Sequence, residues 1–531
     1  MSICEWSISE IDEEIVSKYS QKYGIPYVSV AILYSRGFRE ESDIQNFLQG
    51  TVEDDVFDIT DMDKAVQRIE KAIKENEKIC IYGDYDADGI TSSSLMCRYL
   101  RSRGADVFCY IPERNKDGYG LNNSAIEYIK NEGTDLIITV DNGISAFDEV
   151  KYANLLGMDV VITDHHRVRE TLPCACAVVN PYRKECSELK NKNFAGVGVA
   201  FKLIEAMETG KSSKKDLLDK YSDLVTVGTI GDSIELFGET KEVVKYGLEN
   251  LLSSKIPGII SLLKCSNLYL KELDSISVAF GIVPRINACG RMDNARLALE
   301  LLMCDDVYES DKIAVEVCKL NDLRKNIENE ILEDVENLLL EEPERKYEKI
   351  IVAEGENWNH GVLGIVASKI TQKYGKPCIL ITIEGETSRA SCRSIEGFSI
   401  YDALVRNSKW LTRFGGHPMA AGFSINTSDL KFFKESLFQD SEDYEVPAPC
   451  ISIDFELEPY QISCEILENL EILKPYGNGN SEPVFGIFGA TLVKIIPIGK
   501  GKHLKLIFEK DGFEFSVLYF NKTPNDFIFL E

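Results

Sequence analysis

No apolar run in the 531 residues approaches the ~18 consecutive residues that a membrane span requires, so no transmembrane helix and no membrane partner are expected. The opening MSICEWSISEIDEE is acidic and lacks the charged-then-apolar pattern of a secretory signal, which makes the cytoplasm the expected compartment. Paired C-x-x-C spacing is missing too. The fifteen cysteines are scattered and read as small buried hydrophobes, not as disulfides or zinc ligands. Basic residues are short: 59 Lys and Arg stand against 87 Asp and Glu, for a net charge of −28, which argues against a generic nucleic-acid binder because phosphate is neutralised by Lys and Arg. The deficit is uneven. Residues 426–465 hold ten acids against two bases, whereas 490–510 hold five lysines against one acid, so a basic groove on an acidic protein remains compatible with the composition. Histidine is scarce too, at five. Four of these, His165, His166, His360 and His417, lie in Gly- and Asp-rich stretches at expected element ends, and His503 lies in the basic C-terminal segment.

What is present is a long chain with 44% hydrophobic residues, enough for about three domains, and with neither a fixed-period repeat nor a low-complexity segment. From about 76 to 235, apolar runs (KICIYG, DLIITVD, DVVITD, LVTVGTIGD) alternate with helix-like segments, which implies βαβ units and a mostly parallel sheet. Residues 305–342 contain no Gly and no Pro and have helical periodicity, predicting one or two long connecting helices. A second α/β segment follows at 346–425, with KPCILIT as a strand. The tail from about 448 has short runs at hairpin spacing, the pattern of a small β-barrel or sandwich.

The stretch IYGDYDADGITSSSL (81–95) sets Asp84, Asp86 and Asp88 at alternate positions before a glycine. An EF-hand loop begins that way, but its twelfth position requires a bidentate Glu where this chain has Leu95, and a strand-like run precedes it where an EF-hand has a helix. The acids recur instead after each apolar run: Asp141 after LIITV, Asp164-His165-His166 after VVIT, and Asp232 after VTVGTIG. If those runs are neighbours in one parallel sheet, the carboxylates and imidazoles converge on one rim, where ligands of such sheets bind. Oxygen and nitrogen donors without thiolate suit Mn²⁺ or Mg²⁺. Two such ions ~3.5 to 4 Å apart would polarise a phosphoryl group for in-line displacement. The alternative for any single acid is ordinary turn and capping chemistry. Beside a histidine, Asp164 is expected to orient rather than to ligate.

GDYDADGITSSSL, VDNGIS, ITDHH and GTIGDSIEL resemble four successive motifs of the DHH phosphoesterases. FAGVGVAFKL (194–203), VVNPY (178–182) and PRINACGRMDNA (284–295) resemble the RecJ branch of that family. WNHGVLGIVASKI, SCRSIEG and GGHPMAAGFS resemble the associated DHHA1 domain, and PYGNGNSEPVF resembles the opening of the RecJ oligonucleotide-binding (OB) fold. The likeness covers nearly the whole chain, including RGFREESDIQNFL (36–48).

The resemblance implies an α/β fold: a parallel-sheet DHH domain linked by long helices to a second α/β (DHHA1) domain, followed by an OB-like β-barrel. The expected divisions are an N-terminal segment packing on the core (1–75), the DHH catalytic domain (76–260), a helical connector (261–345), the DHHA1 domain (346–440) and the OB-like domain (448–531). It further implies two divalent ions, Mn²⁺ or Mg²⁺, with Asp84, Asp86, Asp88, Asp141, His165 and Asp232 as ligands and Asp141 as the bridge. His166 would touch phosphate, so Asp141, His165 and His166 are the catalytic candidates. Arg285, Asn287 and Arg291 would hold the DNA backbone near the site, the alternative being a buried guanidinium that braces the connector. Arg393, Gly415, Gly416 and His417, on Gly-rich loops, would bind substrate phosphates through side chains and backbone amides.

Three departures stand out. His360 is displaced by one place from the family's WH-x-G pattern, Val283 replaces a Gly before Pro-Arg, and the sequence stops at NKTPNDFIFLE, where a full barrel runs through further strands.

The expected activity is a monomeric, single-strand-specific 5′→3′ DNA exonuclease of repair and recombination, releasing 5′-mononucleotides, with a single-strand-binding protein and a RecQ-type helicase as the partners the resemblance suggests. Lys494, Lys500, Lys502 and Lys505 are candidates for gripping the strand. A phosphodiesterase for short RNA or cyclic dinucleotides shares the DHH and DHHA1 halves, but the extra N-terminal segment, long connector and β-rich tail suit a polymer. A metal-free scaffold of the same descent would have no need of so many clustered carboxylates.

Overall fold

The computed structural model describes residues 5–49, 54–114, 118, 120–448 and 450–524. The chain forms two compact units, one of residues 52–449 with 477–479 and one of residues 1–51, 450–476 and 480–531. In the larger unit, five short strands form a parallel sheet: β1 (Ile79–Tyr82), β2 (Val107–Tyr110), β3 (Leu136–Val140), β4 (Asp159–Thr163) and β5 (Ala177–Val179), in the order β2-β1-β3-β4-β5. These runs are apolar throughout because both faces are covered. Ile79, Ile81, Leu136, Ile138 and Val161 enter one core, while the alternate residues Cys80, Tyr82, Ile137, Val160 and Ile162 enter another on the opposite face.

After β1 the chain enters α1 (Ala87–Ser102). Further along come α2 (Gly196–Met207) and α3 (Lys214–Gly231). The last corrects the sequence reading. LVTVGTIG, expected as a strand, is the C-terminal half of α3. Its β-branched residues imitate a strand, but a Ser213/Asp216 capping box starts a helix 18 residues long, and the interior buries 222–229 regardless of propensity. The strands FCY and AVV were not recognised in the sequence.

Beyond these lie α4 (Val283–Arg291) and α5 (Val307–Glu341), the latter one uninterrupted helix of 35 residues, about 50 Å long. Its buried seam changes partner along its length: Ala314 and Val317 join the first core, whereas Ile331, Val335 and Leu339 join the core of the second α/β region. The expected break at 260/261 falls inside the helix Pro257–Cys265, and Ile259, Val278, Ile286 and Leu301 all continue the first core. The first part of the expected connector is therefore packed as core.

The second α/β region is a mixed sheet: β6 (Ile351–Glu356), β7 (Cys378–Glu384), β8 (Thr387–Arg393), β9 (Leu411–His417) and β10 (Ala420–Asn426), ordered β9-β10-β8-β7-β6. The crossover from β6 to the parallel β7 is α6 (His360–Tyr374), capped by Asn359 at its start and by left-handed Gly375 at its end. Gly415, Gly416 and His417 were expected on a loop, and they lie instead on β9, paired with β10. The sequence signal of a glycine pair suggests a turn, yet Gly416 is needed for another reason. Its φ is 141° and a Cβ there would stand 2.4 Å from the Ala420 carbonyl oxygen.

In the smaller unit, Glu5–Ile8 pairs in parallel with Cys450–Ile453, and Arg36 binds Asp454 through Nε at 2.8 Å and Nη2 at 2.9 Å. The segment expected to pack on the core thus divides, since Met62, Ala65, Ile69 and Ala72 enter the core of the larger unit while residues 1–51 group with the C-terminal segments. Thr491–Ile498, His503–Lys510 and Phe513–Tyr519 form a three-stranded antiparallel sheet. The final FIFLE lies outside the described residues. Among the described residues, no helix is long and apolar enough to cross a membrane.

Candidate metal centre and phosphate-binding residues

Three strand ends and two helix ends converge. Asp84 follows β1, Asp86 is the N-cap of α1 with Oδ1 accepting the Gly89 N–H at 3.0 Å, and Asp88 lies in the first turn of α1. The Asp88 carboxylate accepts the Gly196 and Val197 N–H groups at 2.6 and 2.8 Å, so the unpaired amides at the start of α2 orient it. Asp141 follows β3 in a left-handed conformation, φ 62°, and the buried Asn142 side chain stabilises that turn by donating to the Val140 and Tyr82 carbonyls at 2.9 and 3.3 Å.

Asp232 arrives differently from the sequence reading, as the C-cap of α3. The N–H of Ser233, itself left-handed at φ 55°, bonds to Ile230 O, and the N–H of Ile234 bonds to Thr229 O, a Schellman ending with serine in the usual glycine position. The Ser233 carbonyl is held by Asn478 Nδ2 at 2.6 Å.

His165 joins the set. Its Nε2 lies 3.1 Å from Asp141 Oδ1, 3.5 Å from Asp232 Oδ2 and 3.8 Å from Asp88 Oδ2. Three overlapping groups, Asp141/His165/His166, Asp88/His165/Asp232 and Asp84/Asp86/Asp141, each bring one ligand-type atom per residue within 4.8 Å of the others. Asp164 stands behind them. Its Oδ1 accepts the backbone N–H groups of His165 and His166 and lies 2.8 Å from His166 Nδ1, while Oδ2 accepts the Ile144 N–H. It is an orienting carboxylate, as expected.

The electrostatics divide these groups. Burial, followed by repulsion from Asp88, Asp86, Asp84 and Asp232, raises the Asp141 pKa well above the carboxylate range, and burial with Asp86 does the same to Asp84. Burial and Asp86 push Asp88 up to about 7, against the Val197 and Gly196 amides. Burial, then Asp88 and Asp86, push Asp232 up to about 8. Burial also works on Asp164, but its bonds to His166 and the backbone outweigh burial and hold it below the usual range. The two histidines separate. Burial and the neighbouring His166 lower His165 to about 4, whereas for His166 the Asp164 partner overcomes burial and raises it to about 9.

So many buried carboxylates in mutual repulsion are the environment a divalent cation relieves. The residues fit one in a second respect: Asp84 Oδ1 is buried without a hydrogen-bond partner, and the donors are all oxygen or imidazole nitrogen.

The basic candidates are distributed unevenly. Arg291 donates to the Gly361 carbonyl at 3.0 Å, joining α4 to α6, and burial followed by repulsion from Arg114, Arg393 and Arg324 lowers it to about 10. Arg393, at the end of β8, is bonded to its own Cys392 carbonyl and lies in register with Ala420, which lies in register with His417. Burial, Arg393 and Arg167 all lower the His417 pKa, so residues of both α/β regions converge there. Arg285 is engaged elsewhere, with the Gly281 carbonyl and Cys318 Sγ on α5, the contacts of a brace. Asn287 Oδ1 accepts the Ala87 N–H at 2.7 Å. His360 opens α6 with Nδ1 buried and unbonded, and burial and Arg389 lower it to about 4.

Arg114 was missed in the sequence. Its guanidinium lies 5.4 Å from the Tyr85 ring centroid, and its charge acts on Asp84, Arg291, His360 and Arg393. Recognising FCY as a strand would have flagged it by the same strand-end rule that found the acids.

Family profiles match along the chain: the DHH family, N-terminal domain, over 78–229; the DHHA1 domain over 348–440; and the RecJ OB domain over 453–528. Single-stranded-DNA-specific exonuclease RecJ of Bacillus subtilis (strain 168) is 35% identical over 528 residues, which cover 97% of this chain and 66% of that protein, so the chain spans about two thirds of that relative. The protein of the same name from Salmonella typhimurium is 34% identical over 501 residues, covering 90% of this chain and 86% of the relative. A crystal structure of RecJ in complex with Mn²⁺ from Thermus thermophilus superposes with a TM-score of 0.84 at 29% identity, covering 98% of this chain and 74% of that one. A second structure of exonuclease RecJ, bound to manganese, has a TM-score of 0.65 at 33% identity and covers 74% of this chain and 97% of that one. Fold, motif order and the composition of the acidic centre agree: the chain belongs to the RecJ family of DHH phosphoesterases.

Proposed function

We propose that this protein is a metal-dependent exodeoxyribonuclease that degrades single-stranded DNA from the 5′ end and releases 5′-mononucleotides. The observation that carries it is the convergence of five aspartates and two histidines beside an arginine cluster, which supplies one region for divalent cations and another for phosphates. Its RecJ relatives, named for single-stranded-DNA-specific exonuclease activity, and the Mn²⁺ and Mg²⁺ complexes of the Thermus protein support the substrate and the metal.

Two divalent ions, Mn²⁺ or Mg²⁺, would be held by Asp84, Asp86, Asp88, Asp141, His165 and Asp232, with Asp141 common to both. When bound, they supply Lewis acidity at the scissile phosphate and acidify water. The remaining steps belong to the chain's own groups. The amides of Gly196 and Val197 keep the Asp88 carboxylate turned toward the centre. His166, kept protonated by Asp164, donates to a phosphate oxygen. Arg291, Arg393 and Arg114 hold the phosphates of the strand, with His417 and the exposed backbone of Gly415 and Gly416 along β9. Arg285 keeps α4 against α5.

Exclusion of duplex follows if the strand runs between the two α/β regions, where a double helix is too wide. The domain divisions follow the expected DHH, DHHA1 and OB-like parts, with the helical region up to Val317 counted to the first. The cytoplasm, a monomeric state, a role in repair and recombination, and partners that deliver single strands, such as a single-strand-binding protein or a RecQ-type helicase, complete the proposal.

The test is turnover with Mn²⁺ or Mg²⁺ of 3′-labelled single-stranded DNA, duplex DNA, a short RNA and a cyclic dinucleotide. Mononucleotide release from the single strand alone is expected. Equal or faster turnover of the dinucleotide would overturn the proposal, and no turnover of any substrate would favour a scaffold.

A further inference from the structure

One face of α4 meets the loop that carries the first three aspartates. Asn287 Oδ1 accepts the Ala87 N–H at 2.7 Å, and that amide is the first of α1, one of those with no acceptor inside the helix. Three residues on, Gly290 lies so close to Tyr85 that a Cβ there would stand 2.2 Å from the Tyr85 carbonyl oxygen. One residue further, the Arg291 charge acts on Asp86. Positions 287, 290 and 291 share a helix face, so a single surface grips Tyr85, Asp86 and Ala87 in succession.

The loop is confined from the other sides as well. A Cβ at Gly89 would stand 2.5 Å from the Asp84 carbonyl oxygen, one at Gly231 would stand 2.9 Å from the Ala87 Cβ, and Ala87 itself is fully buried. Ala87 stands between Asp86 and Asp88. The Ala87 N–H belongs to the Asp86–Ala87 peptide, so the Asn287 bond fixes the plane from which Asp86 leaves the backbone, at the start of the helical turn that carries Asp88.

We infer that Asn287 is a positioning residue for the Asp86–Asp88 loop, acting through the Ala87 amide and not through contact with DNA. This rests on the reading of the acidic centre as the metal site of the nuclease. The two roles predict opposite rankings of two variants. Asn287→Ala removes the acceptor. Asn287→Asp keeps an oxygen acceptor for the Ala87 N–H but sets an acid where a phosphate would be repelled.

The experiment compares parent, Asn287→Ala and Asn287→Asp by calorimetric titration with Mn²⁺ in the absence of DNA, by the Mn²⁺ concentration that half-activates cleavage, and by KM for a single-stranded oligonucleotide. The expected result is Mn²⁺ affinity reduced about 10- to 100-fold in Asn287→Ala, the range found when a residue supporting a metal ligand is lost, with near-parental affinity in Asn287→Asp and KM within about twofold in both. Parental Mn²⁺ affinity in Asn287→Ala overturns the inference, as does a KM that rises more in Asn287→Asp than in Asn287→Ala. If Asn287→Ala does not fold, Asn287→Asp carries the test: parental affinity and KM support positioning, and parental affinity with raised KM overturns it. A parent that binds Mn²⁺ but cleaves no DNA refutes the nuclease reading, while the titrations still decide the role of Asn287.

Discussion

Asp141 stands at φ 62°, a conformation that Asn and Asp tolerate and most other side chains adopt only with strain, and it does so where burial and then four other aspartates raise its pKa. The residue is locally unfavourable twice over, in backbone and in charge, and a cation bound as proposed would relieve the second. The informative substitution is therefore Asp141→Asn, since Ala would add backbone strain to the loss of charge. Cleavage is expected to fall by more than the roughly 10- to 100-fold that loss of an outer residue costs, while single-strand binding measured by fluorescence anisotropy stays within about threefold. The metal-free variant should melt above the metal-free parent because one buried, repelled carboxylate is gone. Near-parental cleavage would remove Asp141 from the metal set. Asp141, Asp164, His165 and His166 were legible in the sequence because each follows an apolar run. Arg114 was not, because its strand went unread, and no sequence pattern states that Arg285 faces Cys318.

At the scale of elements, α1, α2 and α3 enclose the centre, and glycine sets how closely they approach. A Cβ at Gly196 would stand 2.4 Å from the Asp141 Cβ, and one at Gly228 would stand 2.2 Å from Thr91 Oγ1 and 3.1 Å from Asp88 Oδ1. Gly196 also supplies the amide that holds Asp88. Gly196→Ala should therefore displace the start of α2 from both aspartates, lowering kcat by about tenfold or more and raising the Mn²⁺ requirement, while folding stability falls only by the about 1–3 kcal/mol typical of overpacking. Parental kcat and Mn²⁺ response in a folded Gly196→Ala protein would show that this approach does not matter. The length of α5 could be read from a stretch without Gly or Pro. That α3 is a helix could not, because six of its strand-like residues, 224–229, are buried, where packing overrides propensity.

For the whole molecule, the acidic centre links stability to pH and to metal. Asp88 and Asp232 have folded-state pKa values of about 7 and about 8, above the ordinary 3.8, so the folded protein binds more protons than the unfolded chain between those values. Their contribution to stability is fully present below the unfolded pKa and is lost as pH rises through about 7 to 8. The melting temperature of the metal-free protein should fall as pH rises from the ordinary carboxylate range and level off above about 8 in differential scanning calorimetry. Saturating Mn²⁺ should raise it, by mass action on the folded state, and flatten the decline. An unchanged slope with Mn²⁺ present would mean that the cation does not bind these carboxylates.

The sequence by itself determined the strand-end acids, the long helix, the order of the domains and the family, because these are local patterns with a period, a cap or a motif. Tertiary structure alone decided three things: that Asp232 arrives from a helix, that Asn287 meets Ala87 across 200 positions, and that residues 5–8 pair with 450–453. Each depends on a contact between segments far apart in the chain, whose partners are selected by burial and backbone hydrogen bonding rather than by the residues beside them. The loop GDYDADG shows both contributions. Its acids and glycine were plain in the sequence, while the amides that hold Asp88 and the side chain that holds the Ala87 N–H belong to α2 and α4, which come later in the chain.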